Sequence, residues 1–149
     1  MNTQPKAYNE LVSRLFEPAE RTKLEAAIGS MLVGGRPRVV VIFGPAGSGK
    51  TSIAKIIRKL ALFNMLETGR RTPQVVFQHD GYSPVESVSF VFAETNQPIA
   101  PAGAIFVRTT GERLPVNKYF VLMDQIESEL DAIAEHCIEV HNHFNLENI

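Results

Sequence analysis

Five consecutive apolar residues, Val39-Val40-Val41-Ile42-Phe43, run directly into Gly44-Pro45-Ala46-Gly47-Ser48-Gly49-Lys50-Thr51. This junction constrains the fold more than any other stretch. An unbroken apolar run rich in β-branched residues suits a strand covered on both faces of a parallel sheet. The glycines that follow let the backbone bend sharply and turn its N–H groups inward as an anion nest. From about Lys50 to Met65 a helical period takes over. Ile53, Ile56, Ile57 and Leu60 share one face, with Lys55, Arg58 and Lys59 partly outward. Strand, glycine turn and helix in that order aim the positive end of the helix dipole at the turn.

The turn matches G-x-x-x-x-G-K-[ST] at every fixed position, the phosphate-binding P-loop pattern. Its chemistry follows from its residues. Main-chain amides cradle phosphate, Lys50 adds a mobile cation for the β- and γ-phosphates, and the Thr51 hydroxyl can ligate Mg²⁺. Gly44, Pro45, Ala46, Gly47, Ser48, Gly49, Lys50 and Thr51, with Ser52 beside them, are the expected nucleotide-binding residues. The expected ligands are ATP and Mg²⁺. A glycine-rich turn can match the pattern by accident, but here the preceding strand and following helix supply the context that the motif requires.

The rest of the 149-residue chain reads as a single domain. Residues 1–7 are expected to be loose and 144–149 to fray. A short helix is expected from Tyr8 to Phe16. A longer one starts at Pro18, with Glu17 and Glu20 at the positive end of its dipole. Its apolar face is Leu24, Ala27, Ile28, Met31 and Leu32, and Gly34-Gly35 stops it. Further strands are expected at Gln74–His79, Val88–Ala93 and Ala104–Arg108. One long helix from about Lys118 to His141 carries the stripe Leu122, Ile126, Leu130, Ile133, Cys137 and Val140. Strands alternating with helices predict an α/β domain.

Net charge is −1, so there is no global basic field to attract nucleic acid, although a local basic face would not register in that sum. The lone cysteine, Cys137, has no internal disulfide partner and lies on the apolar stripe, as a small buried hydrophobe would. The polar N-terminus shows no secretory pattern, and no apolar run is long enough to span a bilayer. These features predict a cytoplasmic protein, in the host cytoplasm if phage-encoded.

A P-loop enzyme needs a carboxylate at the end of a nearby strand, to hold the Mg²⁺ shell or polarise water. Two segments compete. Asp124 follows Phe120-Val121-Leu122-Met123, but Leu122 and Ile126 belong to a helical stripe, and a period near 3.6 does not fit a strand. Asp124 is therefore read as a solvated acid in a helix's first turn. Asp80 ends the candidate strand at Gln74–His79, where ligands of open α/β sheets gather. It is preferred, with a plain Asp-Gly turn as the bland reading. Asn96 ends the next strand, either as a γ-phosphate sensor or as a turn asparagine.

With these blocks in order, the chain resembles the superfamily 3-like helicase domain of phage and plasmid primase–helicases. Glu17–Gly29 looks like the helix before the P-loop in that family, and Gly44–Thr51 is its Walker A motif. Gln78-His79-Asp80-Gly81 resembles its acidic motif, and Glu94-Thr95-Asn96-Gln97-Pro98 its asparagine motif. Thr110-Gly111-Glu112-Arg113-Leu114-Pro115 with Ile126–Cys137 looks like the segment that closes the domain. The resemblance implies a P-loop NTPase with a small, mostly parallel sheet flanked by helices, a reduced AAA+-like domain. It also implies that Lys50 contacts phosphates, Thr51 and Asp80 hold Mg²⁺, and Asn96 senses the γ-phosphate. The implied assembly is a hexameric ring moving on single-stranded DNA. The sequence departs from the pattern in places. The stretch from Asp80 to Asn96 is short, and Gly81 stands where a second acid is expected. Ala102-Gly103 stands where an arginine finger is expected, leaving Arg108 as a substitute.

The function expected on these grounds is an ATPase of the helicase type in DNA replication. A small P-loop kinase, with only Gly69-Arg70-Arg71 to suggest a lid, and a non-catalytic nucleotide-binding module are the alternatives. His136, His141 and His143 cluster near a helix end, where dipole reasons alone favour histidine over a metal site. Arg58-Lys59 and Arg70-Arg71 read as solvated charges before they read as DNA contacts.

Overall fold

The computed structural model describes residues 4–45, 47–69, 75–79, 90–96, 103–144 and 146. Four strands form: β1 (Val39–Phe43), β2 (Val75–Gln78), β3 (Phe90–Thr95) and β4 (Ile105–Arg108). They lie in the order β2-β3-β1-β4, and every ladder is parallel. The domain is thus α/β, with a small parallel sheet flanked by helices. Alternate residues divide between the faces. Val40, Ile42, Phe90, Phe92, Ile105 and Val107 join the main core with helical side chains. Val41, Val91 and Ala93 form a smaller cluster on the other side.

Helix α1 (Lys6–Leu15) starts two residues earlier than its sequence suggests, and Ala7 is buried, so the loose start does not reach residue 7. Helix α2 (Pro18–Leu32) has Glu17 at its N-cap and Pro18 in its first turn, and it stops before Gly34, whose φ is +76°. The sequence predicts one apolar face, but every residue from Leu24 to Leu32 is buried. The additional cover is α5 (Leu130–His143), which meets α2 backbone to backbone. A Cβ on Gly29 would lie 2.1 Å from the Cys137 carbonyl oxygen.

That close packing traps one carboxylate. Glu25 is only 3% exposed, and it accepts from the Tyr8 hydroxyl at 2.7 Å and from Arg21 Nε at 3.1 Å. His136 Nε2 lies 3.0 Å from its other oxygen. Burial alone would raise the Glu25 pKa. The bonds to His136 and Tyr8 and the charge of Arg21 outweigh it, and the carboxyl is held below its ordinary value. Burial pushes the Tyr8 hydroxyl well up, with the neighbouring Cys137 and Glu25 adding to it. Cys137 is fully buried, as its place on the stripe predicts, and burial raises its thiol too.

Helix α3 (Lys50–Thr68) buries Ile53, Ile56, Ile57 and Leu60 as expected and runs three residues past Met65 to a Gly69 cap at φ +68°. The long C-terminal helix is the clearest correction. It is two helices, α4 (Val116–Ile126) and α5, separated at Glu127-Ser128-Glu129. At the break Ser128 N–H bonds to the Gln125 carbonyl and Glu129 N–H to that of Ile126. The Glu129 carboxylate then accepts the N–H groups of Ala7 and Tyr8, both at 3.0 Å, and so caps α1. Asp124 is helical and exposed, but it lies in the last turn of α4, not a first turn. The expected frayed tail is also corrected in part, because Leu146 is buried and Phe144 packs against the core.

The register levels the carboxyl ends of three strands: Phe43 pairs with Thr95 on one side and Arg108 on the other. The carboxyl ends of β1, β3 and β4 therefore lie level at one edge of the sheet, where ligands of open α/β sheets gather.

Candidate functional site

The P-loop leaves β1 at Gly44, whose N–H bonds to the Thr95 carbonyl at 3.3 Å. Two glycines in it meet conformational demands. Gly47 has φ +78° and Gly49 φ +91°, the left-handed region that costs other residues energy. A Cβ on Gly49 would also strike the Leu15 side chain at 2.7 Å, so the end of α1 rests directly on the loop. Gly49 is the N-cap of α3, and the first turn of a helix presents N–H groups that the helix itself does not satisfy.

Lys50 curls back under the loop. Its Nζ donates to the carbonyls of Gly44 at 2.7 Å and Pro45 at 2.9 Å, and to Asn96 Oδ1 at 3.1 Å. Lys50, at the start of α3, and Asn96, just past β3, two of the sequence candidates, are thus brought together. Thr51 Oγ1 donates to Glu94 Oε1 at 3.0 Å. Ser48 is buried and accepts from Thr109 Oγ1 at 2.8 Å, while Ser52 lines the cavity beside Thr51.

Glu94 is the residue that sequence reasoning missed as an acid. It lies one residue from the end of β3, the strand paired directly with β1, and it is only 6% exposed. Its Oε1 meets the Thr51 hydroxyl and His79 Nδ1, whereas its Oε2 is buried with no hydrogen-bond partner among the described residues. Such an orphaned carboxylate oxygen beside a P-loop threonine suits a hydrated divalent cation. A nucleotide-bound Mg²⁺ takes one or two carboxylates, with phosphate and water completing the shell. The phase of β3 carried the signal: Phe90, Phe92 and Glu94 share a face, and that face meets α3. Asp80 and Gly81 lie outside the described residues, as do Ala46 and Arg70-Arg71.

A cavity of about 500 Å³ opens over these groups. Its lining mixes polar groups, Lys50, Thr51, Glu94, Asn96, Glu112 and Arg113, with the apolar side chains of Leu11, Leu15, Leu114 and Val116 and the ring of Tyr119. Arg108 is not among its lining residues; it is exposed at the end of β4, where its backbone N–H bonds to Glu20. The remaining charges singled out in the sequence are engaged elsewhere. Arg58 lies 4.5 Å over the Phe77 ring, and Lys59 pairs with Glu127. No group of three or more His, Cys, Asp or Glu side chains forms a metal cluster among the described residues, and His136 and His143 bond instead to Glu25 and to the Glu139 carbonyl. No described helix is long and apolar enough to cross a membrane.

Compared with known proteins, the chain matches no family model and no curated protein.

Proposed function

We propose that this chain binds a nucleoside triphosphate, ATP, with Mg²⁺ in the cavity over the P-loop, and hydrolyses it as an ATPase of the phage primase–helicase type. One observation carries the reading. A nearly buried lysine ammonium sits beneath a glycine loop at a helix N-terminus, bonded to an asparagine and next to a hydroxyl–carboxylate pair. That combination binds polyphosphate: fixed N–H dipoles, a mobile cation and a place for the metal.

The mixed lining suits both parts of the ligand. Its polar groups take the phosphates, and its apolar side chains, with the Tyr119 ring, take the base and sugar. Thr51 and Glu94 would hold Mg²⁺, which supplies charge neutralisation on the phosphates. Lys50 and Asn96 orient the outer phosphates, and Glu94 is placed to hold a water at the same edge. The resemblance adds single-stranded DNA as the polymer on which the energy is spent and a homo-oligomeric ring as the assembly.

Titration with MgATP tests the binding step. Lys50→Ala is expected to weaken affinity by about tenfold or more, the scale of a lost charge-assisted contact. Unchanged affinity in that variant rules out this site. Hydrolysis measured with and without single-stranded DNA tests the helicase-type role. Stimulation by a small-molecule acceptor instead points to a kinase, and binding without turnover to a nucleotide-binding module.

A further inference from the structure

The segment that follows β4 lies along the P-loop for most of its length. Thr109 extends the sheet by donating its N–H to the Phe43 carbonyl at 2.9 Å, and its hydroxyl bonds to Ser48. The approach is tight: a Cβ on Gly44 would lie 1.9 Å from Thr109 Oγ1. Thr110 ties the segment to the end of α1, N–H to the Leu15 carbonyl at 2.8 Å and hydroxyl to that of Arg14 at 2.6 Å. Gly111 passes the Pro45 ring, and Arg113 then lies on Gly47. Its Cζ and Nη2 are both 3.0 Å from where a Cβ on that glycine would stand.

We propose that Arg113 is a phosphate clamp supplied by the same chain that supplies the P-loop. It would grip the outer phosphates of the bound nucleotide from the Gly47 part of the loop. This inference rests on the proposed nucleotide site. Three observations lead to it. The guanidinium is held over the middle of the loop by a segment pinned at Thr109 and Thr110, so its reach is short and aimed. It lines the same cavity as Lys50 and Thr51. Gly47 lacks the side chain that would push it away. Lysine ammonium, guanidinium and a helix N-terminus converge there, and a polyanion draws on all of them. The carboxylates of Glu94 and Glu112 line the cavity too, but Arg113 is the side chain that lies against Gly47. The planar fork of arginine can bond two phosphate oxygens at once, which lysine cannot do.

The test is calorimetric titration of the full chain with MgATP and MgADP, comparing wild type with Arg113→Ala and Arg113→Lys. Arg113→Ala is expected to weaken ATP binding by about tenfold and ADP binding by less, with Arg113→Lys recovering only part of the loss. A structural role would weaken both nucleotides equally, so an unchanged ATP-to-ADP ratio overturns the clamp while leaving the nucleotide site standing. Wild type that binds neither nucleotide overturns the site and the clamp together. Mixing Arg113→Ala with Lys50→Ala subunits separates same-chain from partner action. A fraction of ATP sites with wild-type affinity in the mixture assigns the arginine to a neighbouring subunit and overturns the proposal.

Discussion

Glu94 meets two requirements that pull against each other: it is nearly buried, and one of its oxygens has no partner among the described residues. A buried carboxylate left that way costs stability unless something it binds repays the cost. Glu94→Gln keeps the shape and removes the charge. It is expected to retain nucleotide, lose the Mg²⁺ dependence of binding and slow hydrolysis by about 100-fold, the scale of losing a positioned acid–base group. ATPase assays over a Mg²⁺ series measure this against Asp80→Asn. If Asp80→Asn abolishes turnover and Glu94→Gln does not, the catalytic carboxylate is on β2's side. Glu25 is buried for a structural end. Its carboxyl is held below the ordinary value of 4.5, so the native state releases that proton more readily than the unfolded chain. Its contribution is therefore complete above about pH 4.5 and fades as pH falls through the folded-state value. Glu25→Gln should cost about 3 kcal/mol at neutral pH, the scale of breaking a buried pair, and flatten the loss of stability on acidification. Urea midpoints at pH 7 and pH 4 decide it.

The break between α4 and α5 is an element-scale feature with a stated job, because Glu129 spends its carboxylate on the first-turn amides of α1. Glu129→Ala should destabilise the domain by about 1 kcal/mol, as lost caps do, and hydrogen exchange should quicken first at α1. The sequence did not reveal this break, for a physical reason. The stripe passes from Ile126 to Leu130 in a step of four that a continuous helix would also make, so the turn leaves the apolar phase undisturbed. Elsewhere local pattern sufficed. β1, α2 and α3 were legible because their signals are near-neighbour ones: an apolar β-branched run, a proline start with a glycine stop, and a 3.6-residue period. Strand order was not, because pairing between β3 and β1 joins residues about fifty positions apart in sequence. The site divided along the same line. Lys50 and Thr51 come with a contiguous motif, but Glu94 enters the site only because β3 happens to be β1's neighbour. Asp80, directly after a local strand pattern, carries a near-neighbour signal that Glu94 lacks.

At the scale of the whole molecule, the site is assembled from four separated pieces. Leu15 of α1 rests on Gly49, the loop joins β1 to α3, Glu94 and Asn96 come from the end of β3, and the segment after β4 is tied to both α1 and the loop. A ligand held by all four must favour the state in which they are together, and the unfolded chain offers it nothing comparable. Stabilisation then follows from mass action, about 2.7 kcal/mol at a ligand concentration 100 times Kd. For a domain of this size that corresponds to a rise in Tm of roughly 5–11 °C. MgATP should therefore raise the melting temperature as a single cooperative shift, and Lys50→Ala should cut that shift to about half or less without lowering the ligand-free Tm by a comparable amount. Thr109→Val makes the sharper test. It removes the hydroxyl bond between the β4 segment and Ser48 but leaves every P-loop residue in place. If the four pieces act as one unit, this variant loses part of the MgATP-induced shift. A full shift in Thr109→Val means that the loop and β3 bind the nucleotide alone, and that the segment after β4 is packing and nothing more.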